Sequence, residues 1–250
     1  VVMVIPHSQM FSPRSSAQDA TRRCVRAMFY HCGVPVQAIS EYTIGDYSLN
    51  AKLIVVPSPG VLTQKCWDAL LAAARAGATV AISGVIDADE YGLPAERSKV
   101  FGVRATTRPV SPSEEITLGT FKFETRYEGE KMQRIEKADV GSRAPLSVPY
   151  GSGHLIWSPL PLELGDFMPA LVQFYRLALI KAGALSLFFT EPAVPSVLVV
   201  PSVFRDVVLY TFISENSQDV TMQVTNLETR TRFPMTVLAE ISSHGAIWPP

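Results

Sequence analysis

Ser83 is the residue best placed for covalent chemistry, at the end of the apolar run Thr79–Ile82 and just before Gly84. A serine or cysteine on a sharp turn after a parallel strand can be held out as a nucleophile. That turn needs a glycine two residues earlier, where Ala81 stands, and no helical pattern follows at once. A small residue that merely ends a strand is the plainer reading. Cys24, Cys32 and Cys66 fall inside or at the ends of helical patterns. Cys24 lies on an apolar face, where a free cysteine packs as a small hydrophobe. None of the three has neighbours that would lower its pKa.

Ligands in open parallel sheets collect outside the carboxyl ends of the strands. In this sequence those ends carry His7, Ser58 and Ser83, together with the acidic loop of Asp87, Asp89 and Glu90. His7, Ser58, Ser83, Asp87 and Asp89 therefore form a candidate small-ligand pocket; the competing reading is a set of unrelated turn residues. His7, His31, His154 and His244 have no second His or Cys at metal-ligand spacing, so no metal site is predicted. Gly151-Ser152-Gly153 precedes a strand rather than opening a helix. It reads as a hairpin turn and not as a phosphate cradle. Glu114 and Glu115 are adjacent and point apart, and Glu163 reads as a first-turn charge of the helix that follows. Neither supplies two carboxylates facing each other across a cleft, as glycoside cleavage needs. No catalytic residue and no cofactor is predicted.

The elements that would position these residues alternate in type. Val1–Ile5 is an apolar, β-branched run stopped by Pro6, as a buried parallel strand should be. Ser12, Pro13, Ser15 and Ser16 then offer capping residues, and 17–31 is an amphipathic helix ending at Gly33. Further strands are expected over 34–39, 52–57 and 79–82, with a helix from the cap Thr63 to Ala76 and Gly77 after it. Beyond Asp87, the alternating segment 121–127 and the segment 132–135 read as a hairpin about Gly129. A strand over 154–157 and a helix over 167–182, closed by Gly183, complete a first domain, residues 1–185. Pro192 and Pro195 suggest a stiff linker. Apolar segments at 197–200, 207–213, 220–224 and 235–239 then predict a small antiparallel β-sandwich domain, residues 186–250. The fold class is α/β, a parallel sheet flanked by helices, followed by that β domain.

Composition narrows the functions. The chain has 250 residues, 47% hydrophobic and 18% charged, with Lys+Arg 22 against Asp+Glu 23. A net charge of −1 lacks the cationic excess of a nucleic-acid binder. Three cysteines argue against a disulfide framework. No apolar run is long enough to span a bilayer, so no membrane partner is expected. Val1 is not preceded by a visible leader, which favours a cytoplasmic chain, although a piece of a longer protein would show no leader either. Mean hydropathy of +0.18 with near-zero net charge leaves little repulsion between copies and predicts self-association.

Three passages form a recognisable cadence: Ala51-Lys-Leu-Ile-Val-Val-Pro-Ser-Pro59, Val61-Leu-Thr to Leu70, and Ala76-Gly-Ala-Thr-Val-Ala-Ile-Ser83. Together with Tyr150-Gly-Ser-Gly-His-Leu-Ile-Trp157, they resemble the middle domain of the family 42 glycoside hydrolases, the β-galactosidase group. The tail from about Leu185 resembles the small C-terminal β domain of those enzymes. Ala78 departs from the pattern, standing where the family's turn has a second glycine. The resemblance implies a class I glutamine amidotransferase-like, flavodoxin-like domain without its Cys-His pair, one that helps build a trimer. It also implies that the family's chemistry lies in a separate (β/α)₈ barrel, so no catalytic residue carries over. On this reading the chain is a non-catalytic accessory and oligomerisation region, with a catalytic barrel domain or other subunits as partners and a homo-oligomer as the assembly. The alternatives are a stand-alone amidotransferase-like hydrolase and a sugar-binding module that uses the strand-end crevice.

Overall fold

The computed structural model describes residues 1–10, 16–46, 50–136, 145–194, 196–239 and 242–247. The capping candidates Ser12, Pro13 and Ser15, and Pro195 of the expected linker, lie outside the described residues. The chain divides into two compact units, Val1–Val25 with Val36–Ala184, and Arg26–Pro35 with Leu185–Pro250.

The first unit begins with β1 (Val2–Ile5), the single turn α1 (His7–Met10) and α2 (Ala17–Arg26), followed by β2 (Gln37–Ser40) and β3 (Leu53–Val56). Next come α3 (Gln64–Arg75) and β4 (Thr79–Ser83), then β5 (Ala105–Pro109), β6 (Ser113–Leu118), β7 (Phe121–Arg126) and β8 (Lys131–Ile135). It closes with β9 (Leu146–Tyr150), β10 (Gly153–Ser158) and α4 (Met168–Ala182). Six strands make one sheet in the order β2-β1-β3-β4-β10-β9. The first five are parallel, while β9 folds back antiparallel on β10. The sheet is thus mixed rather than wholly parallel, because a tight turn at Gly151-Ser152 returns the edge strand directly. Glycine is required on both sides of this turn. A Cβ on Gly153 would come within 2.0 Å of the Ala78 carbonyl oxygen, and one on Gly151 within 2.6 Å of the Arg75 Cα.

The sheet is apolar on both faces, as buried parallel strands require. One face presents Val4, Ile54, Val56, Val80, Ile82, Leu155 and Trp157 to α3. The other carries Met3, Val55 and Ala81, and α4 packs on β3 and β4 from this side with Leu171, Phe174 and Tyr175 buried. Helix α3 starts where its cap predicts, the Thr63 hydroxyl accepting the Cys66 N–H at 3.1 Å. Glu41, just after β2, is fully buried and accepts the backbone N–H groups of Ser8 at 2.5 Å and Thr63 at 3.1 Å. This carboxylate therefore ties the first turns of α1 and α3 together.

Trp67, Leu70 and Ala74 form the buried stripe of α3, with Leu71 partly buried beside them. Leu70→Ala is expected to cost about 2–5 kcal/mol, the range for emptying a closed core site. Chemical unfolding that reads less than about half a kcal/mol, typical of a surface change, would place this face wrongly.

Beyond β4 the pairing differs from the expected hairpin about Gly129. β7 pairs with β6 across Gly119, and β8 pairs with β5, so one hairpin is nested inside another. The short turn between Leu118 and Phe121 closes its ladder at little loop entropy, and takes the partner that Gly129 would otherwise have offered.

The second unit contains β11 (Phe188–Glu191), β12 (Val197–Val203), β13 (Val208–Ser214), β14 (Val220–Asn226), β15 (Arg232–Val237) and β16 (Ser242–Ile247). These form two antiparallel sheets, β11-β14-β15 and β12-β13-β16. Their core holds Phe188, Val199, Tyr210, Phe212 and Val224. The Tyr210 hydroxyl, buried there, accepts the Asn226 side-chain N–H at 2.8 Å. Among the described residues, no helix is long and apolar enough to cross a membrane.

Candidate functional site

The parallel strands end their carboxyl edge in short turns, and two of these meet. Ser58 follows β3 and Ser83 ends β4, adjacent in the sheet, so their hydroxyl oxygens lie 3.1 Å apart. The Ser58 backbone N–H also donates to the Ser83 Oγ at 3.1 Å. Between the serines and α4 lies Glu163, fully buried in the turn Leu162–Leu164. Its Oε2 accepts the Ser58 hydroxyl at 2.5 Å and the Ser83 hydroxyl as well. Its Oε1 accepts the hydroxyl of Tyr175, also at 2.5 Å. Glu163 is thus not a first-turn charge of α4, as the sequence suggested, but the hub of a buried polar network. Burial holds its carboxyl above the usual carboxylate range, against the pull of the three hydroxyl donors. The Tyr175 phenol is pushed well up by the same burial and by its neighbours Cys24 and Glu163.

Ser58 adopts φ +36°, a left-handed conformation unusual for a side chain other than glycine. The bonds from its N–H and its hydroxyl hold it there. Such strain persists where the surroundings over-determine the backbone, and it concentrates at ligand clamps and active sites.

Above this network is a cavity of about 650 Å³. Gln9, Ser58, Asp87, Thr107, Glu130 and Lys131 supply much of its polar lining. Val61, Val85, Pro161 and Leu164 supply apolar wall. Of the five candidates from the sequence, Ser58 and Asp87 line this cavity, and Ser83 lies under it, fully buried. Asp87 is pinned from behind: one carboxylate oxygen accepts the Ser98 N–H at 2.6 Å, the other the Gln133 side-chain N–H at 2.6 Å. Asp89 accepts the N–H groups of Tyr91 and Leu93 and so closes its own loop. His7 pairs its Nδ1 with the Ser40 hydroxyl at 2.7 Å and stacks on Tyr42. His7 and Asp89 are not among the residues lining the cavity.

Among the described residues, the hydrogen bonds of the two serines run to each other and to Glu163 and none to an imidazole, the relay that acyl transfer uses. With its oxygen engaged and its surface sealed, Ser83 is not presented to a substrate. Burial also pushes the Cys66 thiol up, away from the thiolate form a nucleophile needs. Among the described residues, no group of three or more His, Cys, Asp or Glu is arranged to hold a metal ion.

The sequence carried one signal for Glu163. It is the lone charge in Pro159-Leu-Pro-Leu-Glu-Leu164, an apolar run that exposed carboxylates do not favour. Glu130 and Lys131 carried none, because exposed-looking charges in a turn are ordinary.

No protein-family profile and no curated protein matches this chain. Solved structures do. The β-galactosidase from Bacillus circulans sp. alkalophilus matches 97% of the chain over 40% of its own length, with a TM-score of 0.73 and 16% identity. The cold-adapted β-galactosidase from Rahnella sp. R3 matches 99% of the chain over 41% of its own, with a TM-score of 0.74 and 13% identity. The α-L-fucosidase isoenzyme 2 from Paenibacillus thiaminolyticus matches 98% over 47%, with a TM-score of 0.59 and 12% identity. The chain spans about 40% of the length of the GH42 β-galactosidases it matches. In fold, it resembles a part of those enzymes.

Proposed function

We propose that this chain is the non-catalytic accessory region of a glycoside hydrolase of the GH42 β-galactosidase kind. In this reading the first unit is its amidotransferase-like, flavodoxin-like domain and the second its small C-terminal β domain. Together they pack against a catalytic barrel and mediate contacts between subunits of a homo-oligomer. The observation that carries the reading is the fold likeness of nearly the whole chain to about 40% of each β-galactosidase chain. The strand order 2-1-3-4 at one side of the main sheet supports a flavodoxin-like first unit. The sealed Ser83, bound to Glu163 and Ser58, supports a domain in which the nucleophile position has become structural.

The chain by itself is expected to release neither nitrophenol from aryl β-galactosides nor ammonia from glutamine. Either product, formed by the wild type and absent with Ser83→Ala, would overturn the non-catalytic reading in favour of a stand-alone hydrolase. Sedimentation velocity addresses the subunit contacts separately. Association that grows with concentration supports them, and a monomer throughout removes them from the proposal.

A further inference from the structure

We infer that the cavity at the strand edge of the first unit binds a neutral, hydroxyl-rich ligand, a mono- or disaccharide, against Ser58, Glu130 and Lys131. The inference names a ligand for a site the accessory role leaves unused, and it is read by binding, not by turnover.

Several features point the same way. At about 650 Å³ the cavity is within the range of small-molecule sites and has room for a disaccharide. Its charge selects against anions. Asp87 and Glu130 line it against Lys131, the one cation among the described residues of its wall. A phosphorylated or carboxylated ligand would meet two carboxylates at close range in a partly dry space. A cationic ligand has only Glu130 to pair with, beside the Lys131 ammonium in the same wall. Asp87 already has both oxygens engaged by Ser98 and Gln133, and Lys131 repels a second ammonium. Hydroxyl groups meet neither obstacle.

The remaining polar groups suit hydroxyls. Glu130 has a single long contact, from the Ser16 hydroxyl at 3.4 Å to its Oε2, which leaves acceptor capacity on a half-buried carboxyl. The Ser58 hydrogen is committed to Glu163, so its oxygen meets a ligand as an acceptor. Lys131 provides donors. Val61, Val85, Pro161 and Leu164 give the cavity an apolar wall against which the C–H face of a sugar can lie.

The test is calorimetric titration and saturation-transfer NMR of the full chain with lactose, galactose, glucose and galactose 6-phosphate. Two variants accompany it, Glu130→Ala at the wall and Thr107→Trp, a large ring placed on an exposed lining position of β5. The expected result is saturable binding of at least one neutral sugar and weaker binding of the phosphorylated one. Glu130→Ala should weaken it about tenfold, the loss of one hydrogen bond to a charged group. Thr107→Trp should abolish it, with unchanged thermal melting. If either variant fails to fold, Lys131→Met, at an exposed position, should weaken binding in its place. No saturation by any neutral sugar would overturn the inference. So would phosphorylated sugar binding as tightly as neutral sugar, or binding untouched by Thr107→Trp. A sugar bound without turnover leaves the accessory reading intact, and turnover without binding at this cavity overturns each reading by its own measurement.

Discussion

Glu163→Ala is expected to destabilise the first unit by about 3 kcal/mol or more, since each buried hydroxyl left without an acceptor costs about 1–3 kcal/mol. Three lose their partner at once, those of Ser58, Ser83 and Tyr175. Glu163→Gln, which keeps the shape and can still bond both serines and the phenol, should cost clearly less. The pH dependence separates the two substitutions further. Burial raises the Glu163 pKa in the folded state above its unfolded value, so the folded chain holds the proton more tightly. The contribution of this group is therefore fully present below the unfolded pKa of about 4.3, and is lost as pH rises through the folded pKa. Glutamine does not titrate, so the stability gap between wild type and Glu163→Gln should narrow as pH climbs above that value. Urea unfolding of both proteins across a pH series reads this directly. Parallel profiles would mean that Glu163 does not ionise differently in the folded chain, and the burial argument would fail.

The second large effect is expected at Trp157. It is fully buried on β10, its ring 5.3 Å from that of Phe101, and its indole N–H donates to the Gly84 carbonyl at 2.8 Å. Trp157→Ala should cost about 3–5 kcal/mol, as for other large aromatic deletions in closed cores. Trp157→Phe isolates the polar share. It keeps most of the packing but leaves the Gly84 carbonyl unpaired, at about 1–3 kcal/mol. Because Gly84 follows Ser83 directly, the phenylalanine variant should also raise amide exchange in the turn after β4. A loss below about 1 kcal/mol for the alanine variant, well under that range, would show that the core closes over the gap. The tryptophan would then not be what positions the turn.

Much of the first unit was legible because its signals are local. The apolar run Leu53–Val56 is a strand on both counts, composition and stop, and it forms as one. Thr63 caps α3 through a bond to Cys66, three residues on, and Gly183 ends α4 in the left-handed conformation. The stripe of Trp67, Leu70 and Ala74 follows from helical period alone. Ser58 and Ser83 were read as strand-end neighbours, and they touch because β3 and β4 are adjacent in the sheet. The sequence had no comparable hold on β5 to β8, where strands of equal quality compete for partners and the shortest turn decides. Nor did it reveal Glu163 as more than a helix-end charge. That carboxyl meets Ser83 across 80 residues and Ser58 across 105. Backbone preference and capping act over about four residues, so the sequence determined the strands β1, β3, β4 and β10, the helices α3 and α4 with their ends, and which of their faces are apolar. Which turns converge, which carboxylate is sealed beneath them, and what space is left above are set by the order of strands in the sheet. That order is decided by packing across the whole unit, and only the tertiary structure carries it.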